Sequence, residues 1–259
     1  MNTIDSFIQV KQQFINDWAK NPNYVFEESV FSRSESLKRQ LIPYINYLPE
    51  PYIGCIKNPS AVFLNYNPGP VLEGLQEREI GKFIINYDAV ESYVDFARTV
   101  PYFEPKGRSF WYPRKRFVAR LLGKENDDFH ILGLEICPWH SQSFKLTNSE
   151  LESLKEYVMK EVLPVAEAVA KNAPLSTIFS VGKSYYDLFR LLDFKKVKEF
   201  KAGTNIIKWP KNAHGKPVAR SFSLWESKSG FQYFNTYAQG GNTMSSQEFN
   251  EIIKHLLGI

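Results

Sequence analysis

The chain has 259 residues, of which 43% are hydrophobic, 15% aromatic and 23% charged. At roughly 100–200 residues per domain this length supports one domain, or at most two, and apolar content this high excludes a disordered polyelectrolyte. Against 28 acidic side chains stand 32 lysines and arginines, a formal charge of +4 that permits binding to a phosphate backbone without requiring it.

Phe7, Val10, Phe14 and Trp18 recur at helical spacing after Asp5, so residues 5–19 form an amphipathic helix that begins a helical lead-in over residues 1–48. A second helical stretch carries Leu37, Leu41 and Ile42, after which Pro43, Pro49 and Pro51 impose an extended path. The run Ala61-Val62-Phe63-Leu64-Asn65 reads as a buried strand and ends at the turn Tyr66-Asn67-Pro68-Gly69-Pro70. Three later runs share this form. Residues 130–136 end at Cys137-Pro138-Trp139-His140, residues 176–181 at Gly182-Lys183-Ser184, and residues 231–237 just before Gln239-Gly240-Gly241.

A long helix with Leu151, Leu154, Val158, Val162 and Leu163 on one side lies between the second and third strands, with Ser149 and Glu152 at capping-box spacing and Pro164 expected to kink or restart it. The last helix presents Phe249, Ile252, Ile253, Leu256 and Leu257 behind a second capping box, Ser245 and Glu248. Strands alternating with helices predict an α/β fold, a three-layer α/β/α sandwich around a central, mainly parallel four-stranded sheet, in a single domain. From Lys195 to Arg220 seven lysines and one arginine face a single acid, Glu199; residues 195–225 therefore read as an exposed basic loop or hairpin insertion.

Several chemistries are disfavoured by spacing. Gly182-Lys183-Ser184 imitates the end of a phosphate-binding loop, but Thr177 stands where the motif needs its first glycine, so no nucleotide cofactor is expected. Cys55 and Cys137 are too few for a disulfide framework or a four-cysteine zinc or iron–sulfur site; reduced, buried thiols and no metal are expected. No Gly-x-Ser-x-Gly elbow is present. With no long apolar run and no basic and apolar leader at Met1–Asp5, the expectation is a cytoplasmic monomer without a membrane partner.

The order of the four strands and their turns, the lead-in Pro49-Glu50-Pro51-Tyr52-Ile53-Gly54 and the motif Asn65-Tyr66-Asn67-Pro68-Gly69 resemble the uracil-DNA glycosylase superfamily over roughly residues 49 to 257. In that superfamily the first strand runs into Gly-x-Asp-Pro-Tyr or Gly-x-Asn-Pro-Gly. The resemblance implies that Asn67 positions an attacking water. Two departures stand out: Asn65 replaces the leading glycine, and Thr236-Tyr237-Ala238-Gln239-Gly240-Gly241-Asn242 occupies the place of a second, His-Pro-Ser motif.

Hydrolysis of a base–sugar bond passes through an oxocarbenium-like transition state, in which a weakly nucleophilic water needs orientation more than deprotonation. Asn67 suits that task, with His140, the turn amides near Tyr66 and Gln239 as donors to the departing base. Asn65, Tyr66, Glu135, Phe110 and Gln239 make up the expected base pocket, and Trp111 offers a further stacking surface. A duplex substrate must be flipped out, which needs phosphate contacts and a wedge. Arg114, Arg116, Lys208, Lys211 and Lys216 supply the first; Gly240 and Gly241 let the backbone approach, and Met244 supplies the second.

Relatives that excise uracil often carry an asparagine at the end of the second strand, where this chain has Glu135. A carboxylate accepts from the amino group of cytosine and repels the oxygens of uracil. The partner expected is DNA, single- or double-stranded, and the substrate a damaged or modified pyrimidine. The resemblance also allows a role in antiviral defence, with a hypermodified cytosine of phage DNA as the base. The alternatives are a non-catalytic nucleic-acid-binding relative and a nucleotide-processing hydrolase on a similar sheet.

Overall fold

A computed structural model describes residues 3–71, 92–99, 110–124, 130–202, 209–238 and 247–259. Among them seven strands form one mixed sheet: β1 (Tyr52–Gly54), β2 (Ala61–Asn65), β3 (Ile131–Glu135), β4 (Ile178–Val181), β5 (Lys195–Lys201), β6 (Arg220–Glu226) and β7 (Gln232–Ala238). Their order is β1-β3-β2-β4-β7-β6-β5, with the central strands parallel and helices packed around them. β4 pairs with β7 in parallel, whereas β1 against β3, β6 against β7 and β5 against β6 are antiparallel.

The four strands expected from apolar runs are β2, β3, β4 and β7, and the sheet is wider than the four strands foreseen. β1 adds three residues on one side. β5 and β6 come from the basic segment, so its ends are ladder rather than loop: β6 is buried through Phe222, Leu224 and Trp225, and β5 is exposed along most of its length. A register shift between Lys196 and Lys198 leaves Val197 as a bulge on β5. Lys196 folds back onto Glu199 and the Tyr186 hydroxyl, 2.8 Å from each, while Lys195 and Lys198 stay in solvent.

The chain divides into two compact units. The first comprises Met1–Pro59, Leu64–Val100 and Leu132–Val169. Its helices are α1 (Thr3–Lys20), α2 (Pro22–Glu27), α3 (Glu35–Leu41), α4 (Ser92–Thr99), α6 (Asn148–Tyr157) and most of α7 (Leu163–Ala170). Of the predicted stripe on α1, Phe7 and Trp18 are buried and Phe14 is half-buried, but Val10 is exposed and Ile15 takes the inward position instead; the Trp18 indole donates to the Ile45 carbonyl at 2.7 Å. The α6 capping box is Thr147 with Glu150, two residues ahead of the predicted pair. Pro164 does not restart the helix, which runs from α6 into α7 without a break. A π turn over Val158–Val162, closed by a bond from Leu163 N–H to the Val158 carbonyl, comes just ahead of the residue that has no N–H to give.

The second unit comprises Ser60–Phe63, Pro101–Ile131 and Ala170–Ile259 and contains α5 (Tyr112–Leu122), α8 (Lys183–Leu191) and α9 (Asn250–Leu257). Alternation along β6 and β7 sends Trp225 and Tyr233 to one face, where Phe189 of α8 packs on both. Phe222 and Phe234 point to the other face, against Phe117 of α5 and Phe249 at the start of α9. This unit is therefore layered helix, sheet, helix. The predicted cap at Ser245 lies outside the described residues; a single 3-10 turn, Gln247–Phe249, leads into α9.

Candidate functional site

The carboxyl ends of β2 and β3, both in the first unit, gather polar side chains into an otherwise apolar interior. Glu50, Asn65, Glu135, His140 and Ser141 are all buried there. Backbone bonds continue the two strands past their ends: Ile136 N–H donates to the Asn65 carbonyl and Cys137 N–H to that of Tyr66, each at 2.8 Å. Gly69 closes the turn at φ +82°, a left-handed conformation that glycine adopts without strain, and nothing lies within 4 Å of where a Cβ would stand.

Asn67 projects from this turn, half-buried. Its Nδ2 donates to the Trp139 carbonyl (3.3 Å) and to Ser141 Oγ (3.0 Å). With both donor positions used, the carboxamide is fixed and Oδ1 is left as a preoriented acceptor that no donor meets among the described residues. Tyr66, next to it, lies 6.5 Å from the Phe144 ring, so an aromatic surface borders the same turn.

His140 is 2% exposed and holds the turn from beneath. Its Nδ1 lies 3.1 Å from the Gly69 carbonyl, its Nε2 lies 3.2 Å from the Leu48 carbonyl, and Glu50 Oε1 is 3.6 Å from Nε2. Carbonyls only accept, so a ring nitrogen that carries a proton donates to the carbonyl it faces. Ser141 N–H also donates to the Gly69 carbonyl (3.2 Å), and Glu50 N–H to the Pro138 carbonyl (2.7 Å). His140, foreseen as a donor to the departing base, is thus engaged as a clamp on the Asn67 turn. Glu50 and Ser141 were not foreseen in this role. The one hint in the sequence is an acid between two prolines, whose partner lies 90 positions further along the chain.

Cys137 is not a nucleophile in waiting: burial pushes its thiol up, contact with the Trp139 carbonyl pulls against this, and the Glu135 carboxylate adds to the rise. Cys55 is only partly buried, against the expectation of two buried thiols. Among the described residues no group of three His, Cys, Asp or Glu side chains is gathered to hold a metal, and no helix is long and apolar enough to cross a membrane.

The remaining predicted residues that the structure describes belong to the second unit. Phe110 is 39% exposed. Arg114 is 3% exposed, with its guanidinium 3.6 Å from the centre of the Phe110 ring and 5.6 Å from that of Trp111, and Nη1 donates to the Phe110 carbonyl. This arginine is part of an aromatic stack rather than an open phosphate contact. Arg116 on α5 is exposed, as are Lys211 and Lys216 in a tight loop where Asn212 Oδ1 accepts from His214 N–H and Lys216 N–H. Lys208, Gln239, Gly240, Gly241 and Met244 lie outside the described residues.

In this α/β protein with one mixed sheet, polar side chains collect where parallel strands end, the usual position of a ligand site in such sheets. Compared with known proteins, the chain matches no family model, no curated sequence and no solved structure.

Proposed function

We propose that the protein is a DNA glycosylase that hydrolyses the N-glycosidic bond of a flipped, damaged or modified pyrimidine and leaves an abasic site. The observation that carries this reading is the Asn67 carboxamide, tied through Nδ2 and left with Oδ1 to orient a water. In the proposed reaction the glycosidic bond breaks ahead of attack and its electron pair leaves with the base. The water oxygen, aligned by Asn67 Oδ1, bonds to the sugar C1′, and the proton it sheds ends on the departed base. An acceptor of this strength suffices because the oxocarbenium-like sugar is itself strongly electrophilic. The resemblance of Asn65–Gly69 to the Asn-Pro-Gly motif supports the same reading.

Glu135, buried at the end of β3, supports the narrower form: a cytosine-type base, whose exocyclic amine a carboxylate can accept, and with it a defence role against phage DNA carrying hypermodified cytosine. The test is abasic-site formation on DNAs carrying uracil, a mismatch, or methylated, hydroxymethylated or glucosylated cytosine. Release of any one base establishes the activity. Binding without release from any of them leaves a nucleic-acid-binding protein, and neither binding nor release rejects the reading.

Exposed Lys211 and Lys216 make a separate prediction about DNA binding. Replacing both with alanine is expected to weaken binding to all sequences alike and to reduce the slope of log affinity against log salt by about 0.9 for each phosphate that is no longer neutralised. Fluorescence anisotropy at several salt concentrations reads this directly, and an unchanged slope would make the loop a solvated surface.

A further inference from the structure

β2 ends on an amide that the fold does not satisfy. Asn65 is 5% exposed, and its Nδ2 is shut off from solvent and makes no hydrogen bond. The contrast is Asn235 in β7, buried as deeply, which donates Nδ2 to the Gly182 carbonyl (3.1 Å) and accepts from Ser180 Oγ (3.0 Å). Where an asparagine serves the sheet itself, its amide is paired. A buried donor left without an acceptor destabilises the fold, and the four residues before Asn65 in β2 are all apolar, so a leucine there would fit the strand at no such cost.

The bonds that join residues 136 and 137 to the carbonyls of residues 65 and 66 set Glu135 beside Asn65 at the ends of adjacent strands. An amide donor next to a carboxylate acceptor matches the edge of cytosine on which the ring acceptor N3 adjoins the 4-amino group. We infer that Asn65 is a specificity-determining residue of this site, giving its Nδ2–H to the ring acceptor of the base while Glu135 accepts from the neighbouring N–H. The inference rests on the reading of the site as one that binds a base. It adds the residue that pairs with the base, and it explains why glycine is replaced at this position.

The probes are free cytosine and free uracil, titrated into the full chain and followed by 1H–15N spectra of the Asn65 side-chain NH2, with Asn65→Leu as the variant and Asn65→Asp, equal in shape but without the donor, as the substitute if the leucine form does not fold. The expected result is a saturable shift of the NH2 signals and a loss of about tenfold or more in affinity for the base in either variant, the effect of one buried donor removed. Asn65→Leu should also melt at or above the wild-type temperature. Signals that neither base moves, or variants that bind both bases as the wild type does, overturn the assignment. If the bases bind through Asn65 and no DNA loses a base, the subsite stands and the glycosylase reading falls; if Asn65→Leu releases bases from DNA at the wild-type rate, the glycosylase reading stands and this assignment falls.

Discussion

Replacing Asn67 with alanine is expected to slow base release by about a hundredfold or more, the scale on which a misaligned reactant loses rate, while DNA affinity stays close to wild type. The two quantities separate because orientation of a water matters in the transition state and hardly at all in the bound ground state. The structure suits the alanine variant: Asn67 is half-buried, its φ is not left-handed, and Gly69 retains its bonds from His140 and Ser141. Asn67→Asp is expected to fall between the two. It keeps an acceptor for the water but turns a carboxylate oxygen toward the Trp139 carbonyl, where the wild type has a donor. Single-turnover rates on whichever substrate the panel identifies, set beside binding isotherms, check both variants; an Asn67→Ala enzyme working at the wild-type rate would reduce the motif to a turn.

The second large effect is one of stability. His140→Ala removes the ring that spans the Gly69 and Leu48 carbonyls and strips the Glu50 carboxylate, only 4% exposed, of its imidazole partner. Losing a large buried ring together with its hydrogen bonding to two carbonyls is worth about 3–5 kcal/mol. For a chain of this size that is a fall in Tm on the order of 10 °C. Glu50→Gln, which keeps an oxygen near Nε2 and removes only the charge, should lose less than His140→Ala. Urea unfolding of the two variants decides the matter: a midpoint for His140→Ala equal to that of the wild type would show that the ring clamps nothing.

Much of the fold is legible in the sequence for a physical reason. β2, β3 and β4 are buried on both faces, so they read as largely apolar runs, β7 is buried at its centre around Tyr233 and Phe234, and α1 carries a helical stripe. β1 is too short to carry a pattern. β6 carries Phe222 and Leu224 on one face and Trp225 on the other, but it sits at the end of a lysine-rich stretch whose charge obscures the pattern. β5 has almost no pattern to read, because most of its side chains meet water. At the site, Asn67 is visible because Asn, Pro and Gly mark a turn after a strand. The clamp is not visible, since Glu50 and His140 meet only once β1 and β3 have paired. The unpaired amide of Asn65 is invisible for a different reason: a letter in a sequence does not show whether its hydrogen bonds are made.

The bulged, lysine-bearing β5 has a consequence for how the protein behaves among its own copies. A strand at the margin of a sheet carries a row of backbone donors and acceptors that a second chain can adopt, and long, flat, apolar margins seed fibres. Here that row is twisted by the bulge at Val197 and fenced by Lys195 and Lys198, whose charges a neighbouring β5 would meet as like against like. The opposite margin, β1, offers only three residues, too few to template another strand. Among the described strands the sheet is thus guarded against edge-to-edge pairing at both margins by different means, charge and curvature at one and brevity at the other.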